Sequence, residues 1–132
     1  MLVAHGVVHF EIPADDPDKL VRFYSDLFDW QIDKMPGDIE YWMLHTVPTD
    51  DKGMPTQPGG INGGITRRQN PGHRPINYVQ VESLDQYLAK AKGLGARLML
   101  EKMPVPGMGW FAQLLDPQGN PFAIWQDDSS AH

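Results

Sequence analysis

One order of elements, met twice, constrains this chain more than any single motif in it. Residues 7–12 alternate: Val8, Phe10 and Ile12 fall on one face, and Val7, His9 and Glu11 on the other. Period two is the mark of a strand with one apolar face against a core. The next stretch, ADDPDKLVRFYSDLFDW, reads as a helix. Asp15 or Asp16 can cap it, Pro17 suits its first turn, and Leu20, Phe23, Tyr24, Leu27 and Phe28 recur as one apolar stripe. Strands are expected near 30–35 and 39–47. A fourth short strand is expected in GGINGGIT, whose glycines suit a close approach of backbone or ligand. After RRQNPGHRP, which reads as a linker, the order restarts. Residues 76–81 form a strand with Ile76, Tyr78 and Gln80 on one face. Ser83 to Gln86 has the shape of a capping box. Leu84, Tyr87, Leu88 and Ala91 give the helical stripe, and Gly93 or Gly95 can end it. Strands at 97–101, 110–115 and 120–126 complete the set.

Strand, helix and three strands, twice over, predict an α+β fold of two βαβββ modules. A four-stranded sheet with one helix leaves its other face bare, so two such sheets must meet. Two curved sheets meeting this way predict an eight-stranded sheet cup. The 132 residues are expected to form a single domain: module one about 5–66, linker about 67–75, module two about 76–126, and a tail at 127–132.

Composition narrows the partners. There is no cysteine, which removes thiol nucleophiles, disulfides and cysteine-ligated metals. The formal charge is −6 and Lys and Arg do not cluster beyond Arg67-Arg68, so nucleic acid is not an expected partner. No stretch approaches a membrane span and the start is unlike a secretory signal, so a cytoplasmic protein is expected. Residues 48–60, PTDDKGMPTQPGG, are too polar and broken to pack, and a loop of that length without its own structure is often a lid. GGINGG lacks the spacing and following helix of a phosphate cradle. No Gly-x-Ser-x-Gly motif points to a serine hydrolase.

The stretches VVHFEIPADDPDKLVRFYSDLFDW and LLDPQGNPFAIWQ carry a family likeness. The first pairs a strand histidine with an FY helix; the second places a DP-x-GN turn before the last strand. Together with the repeat, they make the chain resemble the vicinal oxygen chelate superfamily of glyoxalase I, bleomycin-resistance proteins and extradiol dioxygenases. The resemblance implies a cup that binds a small organic molecule, commonly in a homodimer. In metal-dependent members it also implies one divalent ion held by a first-strand histidine, a fourth-strand carboxylate, a fifth-strand histidine or other ligand, and an eighth-strand glutamate. That ion polarises substrate oxygens.

Carried over by position, His9 matches the first ligand. Residues 59–66 contain no Asp, Glu or His; the fifth strand offers Ile76, or Asn77 in a shifted register; and the last strand offers Ala123. A lone histidine binds a divalent ion poorly, so no metal and no other cofactor is expected. His9 then reads as a vestigial ligand, a general base or a buried hydrogen-bonding histidine. Glu11, two residues on, can orient it or titrate with it, and the two are the candidate acid–base residues. His45 is a remoter addition to that set.

Trp42, Tyr78, Gln113 and Trp125 are the candidate ligand-binding residues, since aromatic rings with a polar tip suit a planar or apolar guest. Of Trp110 and Phe111, only one can face inward. The expected function is metal-free binding of a small organic molecule. The alternative is a glyoxalase-type lyase, isomerase or dioxygenase using His9 and Glu11, or a non-standard metal set.

Overall fold

The computed structural model describes residues 5–38, 40–51 and 54–132. The elements run β1 (Val7–Ala14), α1 (Pro17–Phe28), β2 (Gln31–Lys34), β3 (Tyr41–His45) and β4 (Gly63–Arg67). They continue with β5 (Ile76–Gln80), α2 (Leu84–Gly93), β6 (Arg97–Val105), β7 (Gly109–Leu115) and β8 (Pro121–Asp127). This is the expected strand, helix and three strands, twice. The expected start of the third strand at Ile39 lies outside the described residues. The sixth strand runs four residues beyond its expected end.

The chain divides into two compact units: His9–Pro75, and Ile76–His132 together with the residues up to Val8. In the first, the strands lie in the order β2, β3, β4, β1, with β1 parallel to β4 and the other pairs antiparallel. In the second, the order is β5, β8, β7, β6, with β5 parallel to β8. Each module therefore repeats one plan, in which its first strand pairs with its last across the helix that separates them in sequence.

One face of each sheet is covered by its helix. In the first module Ala14, Trp42, Leu44 and Ile65 form the core, with Phe10, Ile12, Leu20, Val21 and Tyr24 packed on it. Asp16 caps α1, its carboxylate accepting from Lys19 N at 3.2 Å, and Asp29 ends the helix at φ 58. The expected apolar stripe of α1 is only half used. Leu20 and Tyr24 reach the core, whereas Phe23, Leu27 and Phe28 remain more than half exposed. A four-stranded sheet is narrower than a stripe that wraps two helical flanks.

In the second module Val81, Leu84, Ala112, Leu114 and Ile124 form the core. The expected stripe residues Tyr87, Leu88 and Ala91 pack on it, with Trp110. Ser83 caps α2 by accepting from Gln86 N at 3.3 Å.

Two connecting segments are more built than expected. Within 48–60, Thr49 bridges Pro55, Asp50 N bonds Met54 O at 2.9 Å, and Thr56 N bonds Pro48 O at 2.9 Å. The loop thus holds turn structure of its own, apart from Lys52 and Gly53, which lie outside the described residues. In the linker, Arg68 pairs with Asp15 at 2.9 Å and donates to the His73 carbonyl.

Candidate functional site

The sheet faces turned away from the helices carry the polar and aromatic candidates. On the first module, parity with the register of β1, β3 and β4 puts His9, Glu11, Tyr41, Met43, His45, Gly64 and Thr66 on that face. Nε2 of His9 lies 2.8 Å from the Tyr41 hydroxyl. The two rings are near parallel, 15° apart. Gly64 makes this approach feasible. It lies between β1 and β3, and a methyl group there would overlap the Tyr41 ring and hydroxyl. Tyr41 is a partner that sequence reasoning missed. Its signal was faint: an aromatic residue on the third strand, paired with Thr66 and two positions out of register with Gly64.

Burial lowers the His9 pKa to about 4, so its imidazole is neutral at pH 7. Glu11 is buried on the same face, two residues along. His45 lies further along β3, its Nε2 3.9 Å from Asp33 and its Nδ1 buried without a hydrogen-bond partner among the described residues. Next to the β4 start, Asn62 Oδ1 accepts from the backbone of Thr46 at 2.9 Å, which fixes the amide.

These residues do not fit a divalent ion. The face positions of β4 are Gly64 and Thr66, neither a strong metal donor, and the reachable nitrogen of His9 already meets a phenol. Among the described residues, no three of His, Cys, Asp and Glu are grouped to hold a metal.

The corresponding face of the second module is aromatic. Ile76, Tyr78 and Ala123 are buried there, with Phe111 and Trp125 packed against them. Gln113 Nε2 donates to the Tyr78 hydroxyl at 3.1 Å. Trp125 Nε1 donates to Asp127 at 2.7 Å, and Asp127 also accepts from Gln80 at 2.6 Å. Gly109 leaves the space into which the Trp125 ring lies, much as Gly64 does for Tyr41.

The structure thus brings Tyr78, Gln113 and Trp125 together and adds Phe111. Ala123, which stands at the last-strand ligand position, has 0% exposure, packed among the neighbouring rings. One expectation changes. Trp42 lies on the opposite, helix-covered face of its sheet, 8% exposed in the first-module core, one position out of phase with Tyr41. A depression of about 490 Å³ lined by Asp15, Arg68, Gln69, Asn70 and Pro71 lies away from both faces, and its charges are paired with each other.

Comparison with known proteins agrees with this architecture. Among solved structures, methylmalonyl-CoA epimerase from Mycobacterium tuberculosis superposes with a TM-score of 0.66 at 15% identity, covering 96% of this chain and 93% of that one. A methylmalonyl-CoA epimerase variant from Streptomyces coelicolor gives 0.66 at 15%, covering 96% and 97%. A glyoxalase/bleomycin resistance protein/dioxygenase superfamily member from Vibrio splendidus gives 0.60 at 17%, covering 89% and 96%. At such identities the likeness is one of fold. No curated protein matches the chain. The model of the Glyoxalase-like domain matches residues 8–125, and the chain therefore belongs to that family.

Proposed function

We propose that this protein binds a small organic molecule without the divalent metal of its metal-dependent relatives. The observation that carries the reading is the His9–Tyr41 contact. The one residue matching the family ligand set is engaged by a phenol, the β4 positions on its sheet face, Gly64 and Thr66, offer no carboxylate or imidazole, and among the described residues no three of His, Cys, Asp and Glu are grouped to hold a metal. The aromatic group of the second module supports an apolar or planar guest. Phe111 and Trp125 are only partly buried, while Gln113 and Tyr78 are fixed by their mutual hydrogen bond.

The test is native mass spectrometry of the purified protein, followed by quenching of tryptophan fluorescence with whatever co-purifies. A bound organic mass, released on unfolding and rebound with an affinity weakened by Trp125→Leu, is the expected result. One transition metal per chain, lost in His9→Ala, would overturn the reading.

One observation favours the alternative of acid–base chemistry. His9, Tyr41 and Glu11 put a neutral imidazole, a phenol and a buried carboxylate on one face. Burial nevertheless makes His9 a weak base, with a pKa some three units below neutral pH, whereas an efficient base titrates near the working pH. Binding therefore remains the first reading. Isomerase, lyase and ring-cleavage assays on the wild type and on Tyr41→Phe separate the two.

A further inference from the structure

We propose that His45 and Asn62 hold a hydroxyl group of the guest, the Asn62 amide donating to its oxygen and the His45 ring accepting its proton. The inference rests on the small-molecule reading above and adds a chemical class, a neutral alcohol. Two buried polar atoms carry it. Among the described residues, Nδ1 of His45 and Nδ2 of Asn62 are closed from solvent and have no hydrogen-bond partner, each other included. A buried donor or acceptor left unmade is costly, and folded proteins keep few of them.

The register brings the two side chains together. Leu44 pairs with Gly63, and the next step of that antiparallel ladder sets His45 opposite Asn62. The step after it is bonded too, the Thr46 hydroxyl donating to the Ile61 carbonyl at 2.6 Å. Both residues therefore stand on the face turned away from α1, and the β1 register puts His9 on the other side of Asn62. Asn62 is 6% exposed, and its Oδ1 accepts from Thr46 N at 2.9 Å and Val47 N at 3.4 Å, which turns Nδ2 away from that backbone. Nε2 of His45 lies 3.9 Å from the Asp33 carboxylate, which favours the ring proton on that nitrogen and leaves Nδ1 an acceptor. A donor and an acceptor thus stand across one ladder step. A carbonyl or carboxylate oxygen satisfies only the donor, whereas a hydroxyl satisfies both. Charge points the same way. Glu11 and Asp33 share this face, and no Lys or Arg stands at its described strand positions, so an anionic guest is disfavoured. The guest reaches the pair by parting the side chains above it, and its hydroxyl is then held out of water, where a hydrogen bond discriminates best.

NMR titration of the whole protein with benzyl alcohol, benzaldehyde, benzoate and toluene tests this, read on the Asn62 side-chain amide and the ring nitrogens of His45. Benzyl alcohol is expected to bind roughly tenfold tighter than toluene and to shift both groups, with benzaldehyde between them and benzoate weaker than the alcohol. Asn62→Asp keeps an acceptor for the Thr46 N–H and removes the donor, while His45→Phe keeps a ring and removes the acceptor. Each is expected to abolish the preference for the alcohol. His45→Phe is also expected to melt no lower than the wild type, since it removes an unmade hydrogen bond; a variant that melts lower marks His45 as packing and counts against the proposal. Equal binding of toluene and the alcohol overturns it. So does a preference that survives both substitutions, a trapped water that bridges the pair and stays when the alcohol binds, or failure of the alcohol to bind at millimolar concentration. The small-molecule reading is decided separately, by the mass that co-purifies.

Discussion

The Tyr41 hydroxyl reaches His9 Nε2, 2.8 Å away, across a strand that stands between them. The crossing is feasible because that strand presents Gly64 at the point of passage. Gly64→Ala is therefore expected to push the Tyr41 ring aside and part it from His9. Overpacking of this kind costs about 1–3 kcal/mol. The smaller entropic gain of replacing glycine, about 0.4–1 kcal/mol, offsets only part of it. Urea unfolding, read together with the ring ¹⁵N shifts of His9, checks both halves. A variant as stable as the wild type with an unmoved His9 spectrum would show that the glycine has no such role.

The same contact sits in a desolvated place, and this sets an acid sensitivity. The folded pKa of His9 is lowered by burial to about 4, against 6.5 for an ordinary histidine. Between those values the unfolded chain takes up a proton that the folded chain refuses. The stability tied to neutral His9 is complete above pH 6.5, declines as pH falls through this window, and is lost by about pH 4. Its full size is on the order of 3 kcal/mol. Carboxylates titrate in the same range, so the informative quantity is a difference. Unfolding free energies of wild type and His9→Gln should converge between pH 6.5 and 4. Parallel curves would refute the burial of His9.

Two tryptophans of similar appearance in the sequence are expected to behave oppositely. Trp42 is core under α1 and Trp125 lies, partly buried, on the aromatic face of the second module. Trp42→Ala should cost about 3–5 kcal/mol of stability, as removal of a large buried ring does. Trp125→Leu should cost less stability and more ligand affinity, because Trp125 is only partly buried and its loss leaves the guest without a wall. Thermal melts with and without the co-purified ligand separate the two effects. Equal stability losses would mean that Trp125 is packing as well.

The element order was legible in the sequence because each strand alternates and each helix carries its cap. Asp16 and Ser83 cap as their positions foretold, and the whole α2 stripe packs on its module core, Leu84 buried and Tyr87, Leu88 and Ala91 partly so. Parity also foretold that His9 and Glu11 share a face, as do Tyr78 and Trp125. What escaped were relations across strands. Trp42 was assigned without a register, and a shift of one residue moves a side chain through the sheet. Tyr41 went unnoticed because its role depends on Gly64, twenty-three positions away, and only pairing brings the two together. The exposed flank of α1 escaped for a different reason: a stripe records which residues are apolar, not how wide a surface lies under the helix.

The last expectation concerns divalent metal. Lewis-acid chemistry needs several hard or borderline donors converging on one ion. Here β1 supplies His9 and Glu11, the positions beside them are Gly64, Thr66 and a tyrosine already bonded to the imidazole, and His45 further along β3 is not grouped with them to hold a metal among the described residues. Two donors on one strand are too few for tight binding. If a real site existed, saturation at a hundred times its Kd would add about 2.7 kcal/mol and raise the melting temperature by on the order of 10 °C. Zinc, nickel, manganese and iron(II), added in turn to chelator-treated protein, are each expected to move it by less than about 1 °C, well short of a linked site. Tyr41→Phe sharpens the test, because it frees the His9 nitrogen without adding a donor, and it too should show no metal-linked shift. A metal-dependent rise in the wild type that His9→Ala abolishes would mean that donors outside this sheet face complete a site, and the metal-free reading would fail.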